Sequence, residues 1–338
     1  MVDSFSGYVP LIRERLAELV RTGRDPVDQI LLQPLQRQGK LIRPQLVLLS
    51  ADLFGPITRQ VIDVGVAIEC IHTASLVHDD IIDKACLRRG VPTVNHLHGS
   101  HAAVLAGDHL FATAFEILTR HRLNSVLEEV TGAIRRMCAG EITQDLNLYN
   151  TAQTEENYLD NIWGKTASLF GVACRCGALV AGATAAEVEQ VGWFGESLGY
   201  AYQIADDLLD FLGEEEILGK PRGGDLRNGV ITLPVIHALA SSTRRQELKA
   251  IIESIPGGAA PLANVNSILH ECGAFSYTAA RALEYRSQAC RALELLPPTR
   301  ARERLLELCS TLIQLPLNAV DLQRAELTPE EGLCRPAP

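Results

Sequence analysis

The sequence predicts an all-α protein folded as a single-domain helical bundle. Two observations carry that reading. Apolar residues recur at helical spacing along nearly the whole chain, and no run of alternating β-branched residues interrupts them. Composition agrees: Ala, Leu, Ile and Val dominate, aromatics make up 5 %, and 47 % hydrophobic residues over 338 positions suffice for a sizeable core.

The expected helices follow in chain order. Residues 9–20 place Val9, Ile12, Leu16 and Val20 on one face, and residues 44–54 run from Pro44 to Phe54 just before Pro56. Residues 62–83, 102–118 and 125–146 continue the same period, with Pro92 marking a connection between the first two. Residues 154–183 read as one long helix and 185–212 as the next. Residues 233–240 and 277–295 complete the set, separated by Pro256-Gly257-Gly258. Between 185–212 and 233–240 lies a charged, glycine-rich stretch, 214–228, containing Pro221; its composition suits a mobile lid. No internal linker appears, so residues 1–327 are expected to form one domain, with 328–338 a loose, proline-containing tail.

The same acidic cluster occurs twice: Asp79-Asp80-Ile81-Ile82-Asp83, and later Asp206-Asp207-Leu208-Leu209-Asp210. On a helix the first and fifth positions stack on one face and the second lies about 100° round the axis. Each cluster therefore concentrates carboxylates that repel one another and resist burial unless cations sit between them. Hard oxygen ligands with room left for water are what Mg²⁺ takes, bridging to substrate phosphates. Asp79, Asp80, Asp83, Asp206, Asp207 and Asp210 are thus the candidate metal ligands, and two such patches facing each other would clamp a diphosphate. Basic residues follow in kind: Lys40 and Arg43, Arg88-Arg89, Lys165 before Thr166, and Lys220. Arginine presents a planar fork to phosphate and lysine a mobile point charge, a mixture that suits a ligand with two phosphorus centres.

The segment from His72 to Gly90 resembles the first aspartate-rich motif of the trans-polyprenyl diphosphate synthases, and Tyr202 to Asp210 resembles their second. Lys40 and Arg43, Lys165-Thr166 and Gly219-Lys220-Pro221 are similar to three further motifs, so the resemblance runs from about residue 30 to about residue 325. It implies the helical fold of that family around a central active-site cavity, and it implies roles. Lys40, Arg43, His72 and Arg89 would hold the diphosphate of isopentenyl diphosphate. Asp79, Asp83 and Asp206 would bind Mg²⁺, three ions per site, with Asp80, Asp207 and Asp210 completing the clusters. Arg88, Lys165, Lys220 and the metals would hold an allylic diphosphate such as farnesyl diphosphate, and Thr166 and Gln203 would lie beside the developing allylic cation.

Product length follows from helix geometry. A tail running back from Asp79 passes Ser75, Ala74 and Ile71 at about 6, 7.5 and 12 Å along the axis. Shorter-chain relatives carry an aromatic at the first two of these positions; here both are small, so a long all-trans product is expected, of the heptaprenyl or octaprenyl kind, for quinone side chains. One departure stands out: Gly229-Val230 occupies the place where many relatives have Gly-Lys, a substitution that long-chain relatives share. The alternatives are a farnesyl or geranylgeranyl diphosphate synthase, the catalytic subunit of a heterodimer with a small partner in place of a homodimer, and a terpene cyclase. Lys40, Arg43, His72 and Arg89 speak against the last.

A net charge of −10 speaks against a nucleic-acid partner. Nine scattered cysteines without a Cys-x-x-Cys pair suggest reduced thiols, and the residues after Met1 lack a basic, apolar export signal, so a cytoplasmic location is expected. The stretch 167–186 is apolar and rich in small residues, but lies between two candidate phosphate-binding motifs; it is expected to be a buried helix of the core, leaving no membrane span.

Overall fold

In the computed structural model the described residues are 8–35, 39–88, 90–213, 222–257 and 262–327, with side chains beyond Ile313 described only in part. The helices are α1 Tyr8–Val20, α2 Asp25–Leu32, α3 Ile42–Asp52, α4 Arg59–Ile82, α5 Val94–Arg120, α6 Asn124–Leu146, α7 Glu155–Ile162, α8 Ser168–Val180 and α9 Ala185–Leu212. They continue with α10 Gly224–Arg227, α11 Leu233–Ser241, α12 Arg245–Ser254, α13 Leu262–Glu271, α14 Ala274–Glu294 and α15 Arg300–Leu327. The described strands are β1 Leu87–Arg88 and β2 Val91–Pro92, an antiparallel pair with Leu87 opposite Pro92. The all-α expectation holds.

Local chemistry sets several helix starts. Thr58, Thr93 and Thr154 accept a hydrogen bond through their hydroxyls from the backbone N–H of Val61, His96 and Asn157, capping α4, α5 and α7. Helices α2, α10, α12, α13 and α15 lie outside the stretches expected from periodicity. The first four have at most ten residues, too few turns for a stripe to declare itself. The expected helix over 154–183 is divided by a π-helical turn at Trp163–Ala167, and α5 is kinked at Gly99, whose φ of 81° lies outside the helical region.

The residues of the expected domain fall into two compact units, each assembled from three separate segments. No linker is visible in the sequence because α6, α9, α14 and α15 each contribute residues to both. The first unit comprises Met1–Ala139, Gly164–Gly199 and Gln288–Glu307. Within it α4 packs on α5 and α3, and α3 packs on α8. The α3–α8 approach is close: a Cβ on Gly177 would sit 2.2 Å from the Val47 carbonyl oxygen. Gly177→Ala is therefore expected to lower stability by about 2 kcal/mol, because backbone rather than a flexible side chain must yield; an unchanged urea midpoint would contradict this. On the first half of α9, Gly195 and Gly199 approach the Phe170 carbonyl and Ala167 Cα with equally little room. The small residues of 167–186 thus serve close helix contacts, and residues 167–178 are buried apart from half-buried Arg175. By length and composition alone, α4 and α5 would suffice to cross a membrane, but 72 % and 44 % of their apolar windows are buried inside the protein.

The second unit comprises Gly140–Trp163, Tyr200–Ser287 and Leu308–Pro338. Its core gathers Tyr158 and Ile162 from α7, Ile204, Leu208 and Phe211 from α9, and Leu233, Val235 and Ile236 from α11. Phe275 of α14 meets Phe211 with ring centroids 6.2 Å apart. Residues 214–221, the greater part of the expected lid, and the tail 328–338 lie outside the described residues.

Candidate active site

In the first unit the acidic cluster closes α4, with Asp83 as its C-cap. A helix C-terminus carries partial negative charge, so Asp79 and Asp83 stand where carboxylates are least welcome and a cation is most. Asp83 is exposed and Asp79 half-buried. Asp80 points the other way. It is 6 % exposed, and Arg88 of β1 donates to its Oδ1 through Nε at 2.7 Å. Burial pushes the Asp80 carboxyl up, and the charge of Arg88 offsets part of that rise.

The candidate phosphate ligands of this unit lie at the start of α3, on and just after α4, and in the π turn before α8. Lys40 is exposed directly before α3, and its neighbour Leu41, a buried non-glycine residue, holds the left-handed φ of 50°. Lys84, immediately after Asp83, has φ 51°. Backbone held in this sparsely populated region beside both candidate stations is strain of the kind found at ligand-binding sites. Arg43, in the first turn of α3, lays its guanidinium over the Phe170 ring of α8, 4.9 Å from the centroid. His72 is half-buried on α4, and Lys165 and buried Thr166 lie in the π turn leading into α8, a distortion that re-aims side chains. On α4, Ala67, Ile71 and Ala74 are fully buried, while Ser75 is half-buried and donates its hydroxyl to the His72 carbonyl at 2.9 Å. Arg89 lies outside the described residues.

In the second unit the other cluster lies in the last turns of α9, again near a C-terminus. Asp206 is exposed; Asp207 and Asp210 are buried. Tyr158 of α7 donates to Asp207 Oδ2 at 2.7 Å, and Gln203, one turn earlier on α9, donates to Oδ1 at 2.8 Å. Burial pushes the Asp207 carboxyl well above the usual range; nearby Asp225 adds to the rise, and the two donors oppose it. Asp210 accepts from the Asp225 backbone N–H through Oδ2 at 3.1 Å and from the Gly223 N–H through its carbonyl at 2.8 Å, which ties α10 to α9. Gly229, with φ 87°, abuts the Tyr149 ring, where a Cβ would sit 2.6 Å from Cε2; Val230 follows it, half-buried. Lys220 lies outside the described residues.

Sequence reasoning missed Tyr158 and Asp225. The first is a lone aromatic in a polar helix start and the second sits in the charged stretch read as a lid; neither carries a motif of its own.

The polyprenyl synthetase family model matches residues 24–269. The chain belongs to that family. It is a prenyltransferase of isoprenoid biosynthesis. It is 38 % identical to the octaprenyl diphosphate synthase of Escherichia coli K12, over 82 % of this chain and 86 % of that one. It is 37 % identical to heptaprenyl diphosphate synthase component 2 of Geobacillus stearothermophilus, over 91 % and 96 %. Among solved structures, a polyprenyl synthase from Caulobacter crescentus complexed with calcium and isoprenyl diphosphate matches with a TM-score of 0.85 at 31 % identity, covering 91 % of this chain and 94 % of that one.

The family uses a divalent metal, and the donor set of this chain fits one. Asp79, Asp83 and Asp206 are oxygen donors at helix C-termini, outside the buried core. Among the described residues no three His, Cys, Asp or Glu side chains form a ready metal group. Mg²⁺ is usually held through one or two carboxylates together with water and substrate phosphates, and these carboxylates are donors of that kind.

Proposed function

We propose that this polyprenyl synthetase extends an allylic diphosphate with isopentenyl diphosphate to a long all-trans chain, for quinone side chains, using Mg²⁺. The small pair Ala74-Ser75 on α4 carries the long-chain reading, in keeping with the octaprenyl and heptaprenyl relatives. Asp79, Asp83 and Asp206 are the proposed ligands, Asp80, Asp207 and Asp210 complete the clusters, and Mg²⁺ when bound neutralises charge on the leaving diphosphate. Lys40, Arg43, His72 and Arg89 hold isopentenyl diphosphate; Arg88, Lys165 and Lys220 hold the allylic diphosphate. The allylic carbon–oxygen bond breaks with its electron pair leaving on diphosphate, the isopentenyl double bond attacks the cation, and the adduct loses a proton to the departed diphosphate. Thr166 and Gln203 turn their dipoles toward the cation, and apolar helix faces keep water from quenching it.

We place the enzyme in the cytoplasm as a homodimer. The name of the Geobacillus relative, a component 2, favours a second reading in which a dissimilar small subunit is needed. Purified protein incubated with Mg²⁺, isopentenyl diphosphate and farnesyl diphosphate should yield heptaprenyl-class or longer products by mass spectrometry. Dominant geranylgeranyl product would end the long-chain reading, and silence relieved by a host extract would replace homodimer with heterodimer. Ser75→Phe is expected to shorten the product toward the farnesyl or geranylgeranyl class, since an aromatic at the first gate, about 6 Å along the axis from Asp79, blocks the path of the chain after few additions. An unchanged product distribution would show that the chain does not run along this face of α4.

A further inference from the structure

The second acidic cluster has an anchor that neither motif contains. Asp207 is 3 % exposed, yet both its carboxylate oxygens accept hydrogen bonds from side chains, Tyr158 at 2.7 Å and Gln203 at 2.8 Å. The Tyr158 ring is itself 3 % exposed and belongs to the core of the second unit. Its helix is held firmly. Glu155, three residues earlier on the same face of α7, accepts from Arg281 Nε at 2.7 Å and from the Tyr277 hydroxyl, both on α14. Tyr277 in turn stacks on His237 of α11, with centroids 4.1 Å apart. The Tyr158 hydroxyl is therefore a fixed donor, set by three helices, and it reaches α9 at the residue next to exposed Asp206.

Successive helix positions differ by about 100°, so pinning Asp207 to α7 fixes the directions in which Asp206 and Asp210 project. We propose that Tyr158 is a positioning residue of the prenyl-transfer site: its hydrogen bond to Asp207 sets the rotation of the last turns of α9 and thereby aims Asp206 at its metal. The inference rests on the reading of Asp206 as a metal ligand and adds the group that orients it. Partners outside the ligand set commonly matter this much, because a ligand that must be ordered on binding binds more weakly.

Tyr158→Phe removes the hydroxyl and keeps the ring. The Mg²⁺ concentration for half-maximal turnover is expected to rise about tenfold, with KM for isopentenyl diphosphate changed less than about twofold. A second readout needs no turnover: the rise in melting temperature of the purified protein on adding Mg²⁺ with inorganic pyrophosphate should shrink in the variant. Ile162→Val trims the same core from the same helix without touching Asp207, and should leave both readouts at parent values. Should Tyr158→Phe alone fold poorly, the pair Tyr158→Phe/Asp207→Ala, which leaves no buried carboxylate short of its donor, decides, since with no acceptor at 207 losing the hydroxyl should add nothing to the Mg²⁺ requirement of Asp207→Ala. Unchanged Mg²⁺ requirement and stabilisation in Tyr158→Phe, equal shifts in Ile162→Val, or strict additivity in the pair would overturn the proposal. A parent enzyme indifferent to Mg²⁺ would instead remove the metal reading itself, and this inference with it.

Discussion

Asp79→Asn is expected to lower turnover about a thousandfold while leaving the protein folded, and Asp206→Asn to do the same. The size follows from where charge develops. Breaking the allylic carbon–oxygen bond puts new negative charge on diphosphate, so a carboxylate that would load the neutralising cation matters more in the transition state than in the ground state. The stability side has the opposite sign. Asp79 lies in the last turn of α4, where a carboxylate opposes the helix dipole, so neutralising it should raise stability by about 0.5 kcal/mol. An inactive variant at least as stable as its parent is a combination that core damage does not produce. Turnover within tenfold of the parent would remove Asp79 from the metal site.

Asp63→Ala is expected to destabilise the first unit by about 3 to 5 kcal/mol. Asp63 is 3 % exposed on α4 and joins α1 to the end of α5. Arg15 donates to its Oδ1 through Nε at 2.8 Å, and Nε2 of His121, the cap residue of α5, lies 2.8 Å from Oδ2. Burial alone would push the carboxyl up, but the bonds from Arg15 and His121 outweigh it and hold the group below the usual range. Truncation leaves Arg15, only 12 % exposed at its side chain, without its main counter-charge. The pH dependence follows from the depressed value. The contribution is complete above the unfolded carboxylate pKa of about 3.9 and disappears as pH falls through the lower folded value. Urea titrations of parent and variant should therefore differ most at neutral pH and converge below about pH 4. A gap that stays open in acid, or none at pH 7, would show that the carboxylate charge is not what binds these helices.

Much of the fold was legible because the chain repeats one period. The helix expected at 185–212 coincides with α9, which carries the second acidic cluster, and the one expected at 62–83 differs from α4 by a few residues at its ends. What escaped has identifiable causes. The π turn at Trp163–Ala167 interrupts no apolar stripe, so periodicity runs through it unbroken. The short helices α2, α12 and α13 carry too few turns to show a face. The division into two units is invisible because the chain passes between them inside helices.

The candidate site divides in the same way. Residue type and local spacing determined that two groups of three carboxylates stand near helix ends with lysines and arginines close by in sequence, since charge repulsion and helix pitch are properties of a dozen neighbouring residues. Which carboxylate of each group faces outward was decided by tertiary packing alone. Asp80 turns to Arg88 on the first strand of the hairpin that follows α4, and Asp207 turns to Tyr158, 49 residues distant in the chain. Burying a carboxylate is tolerable only where donors from other elements meet it, and their arrival depends on how whole helices pack.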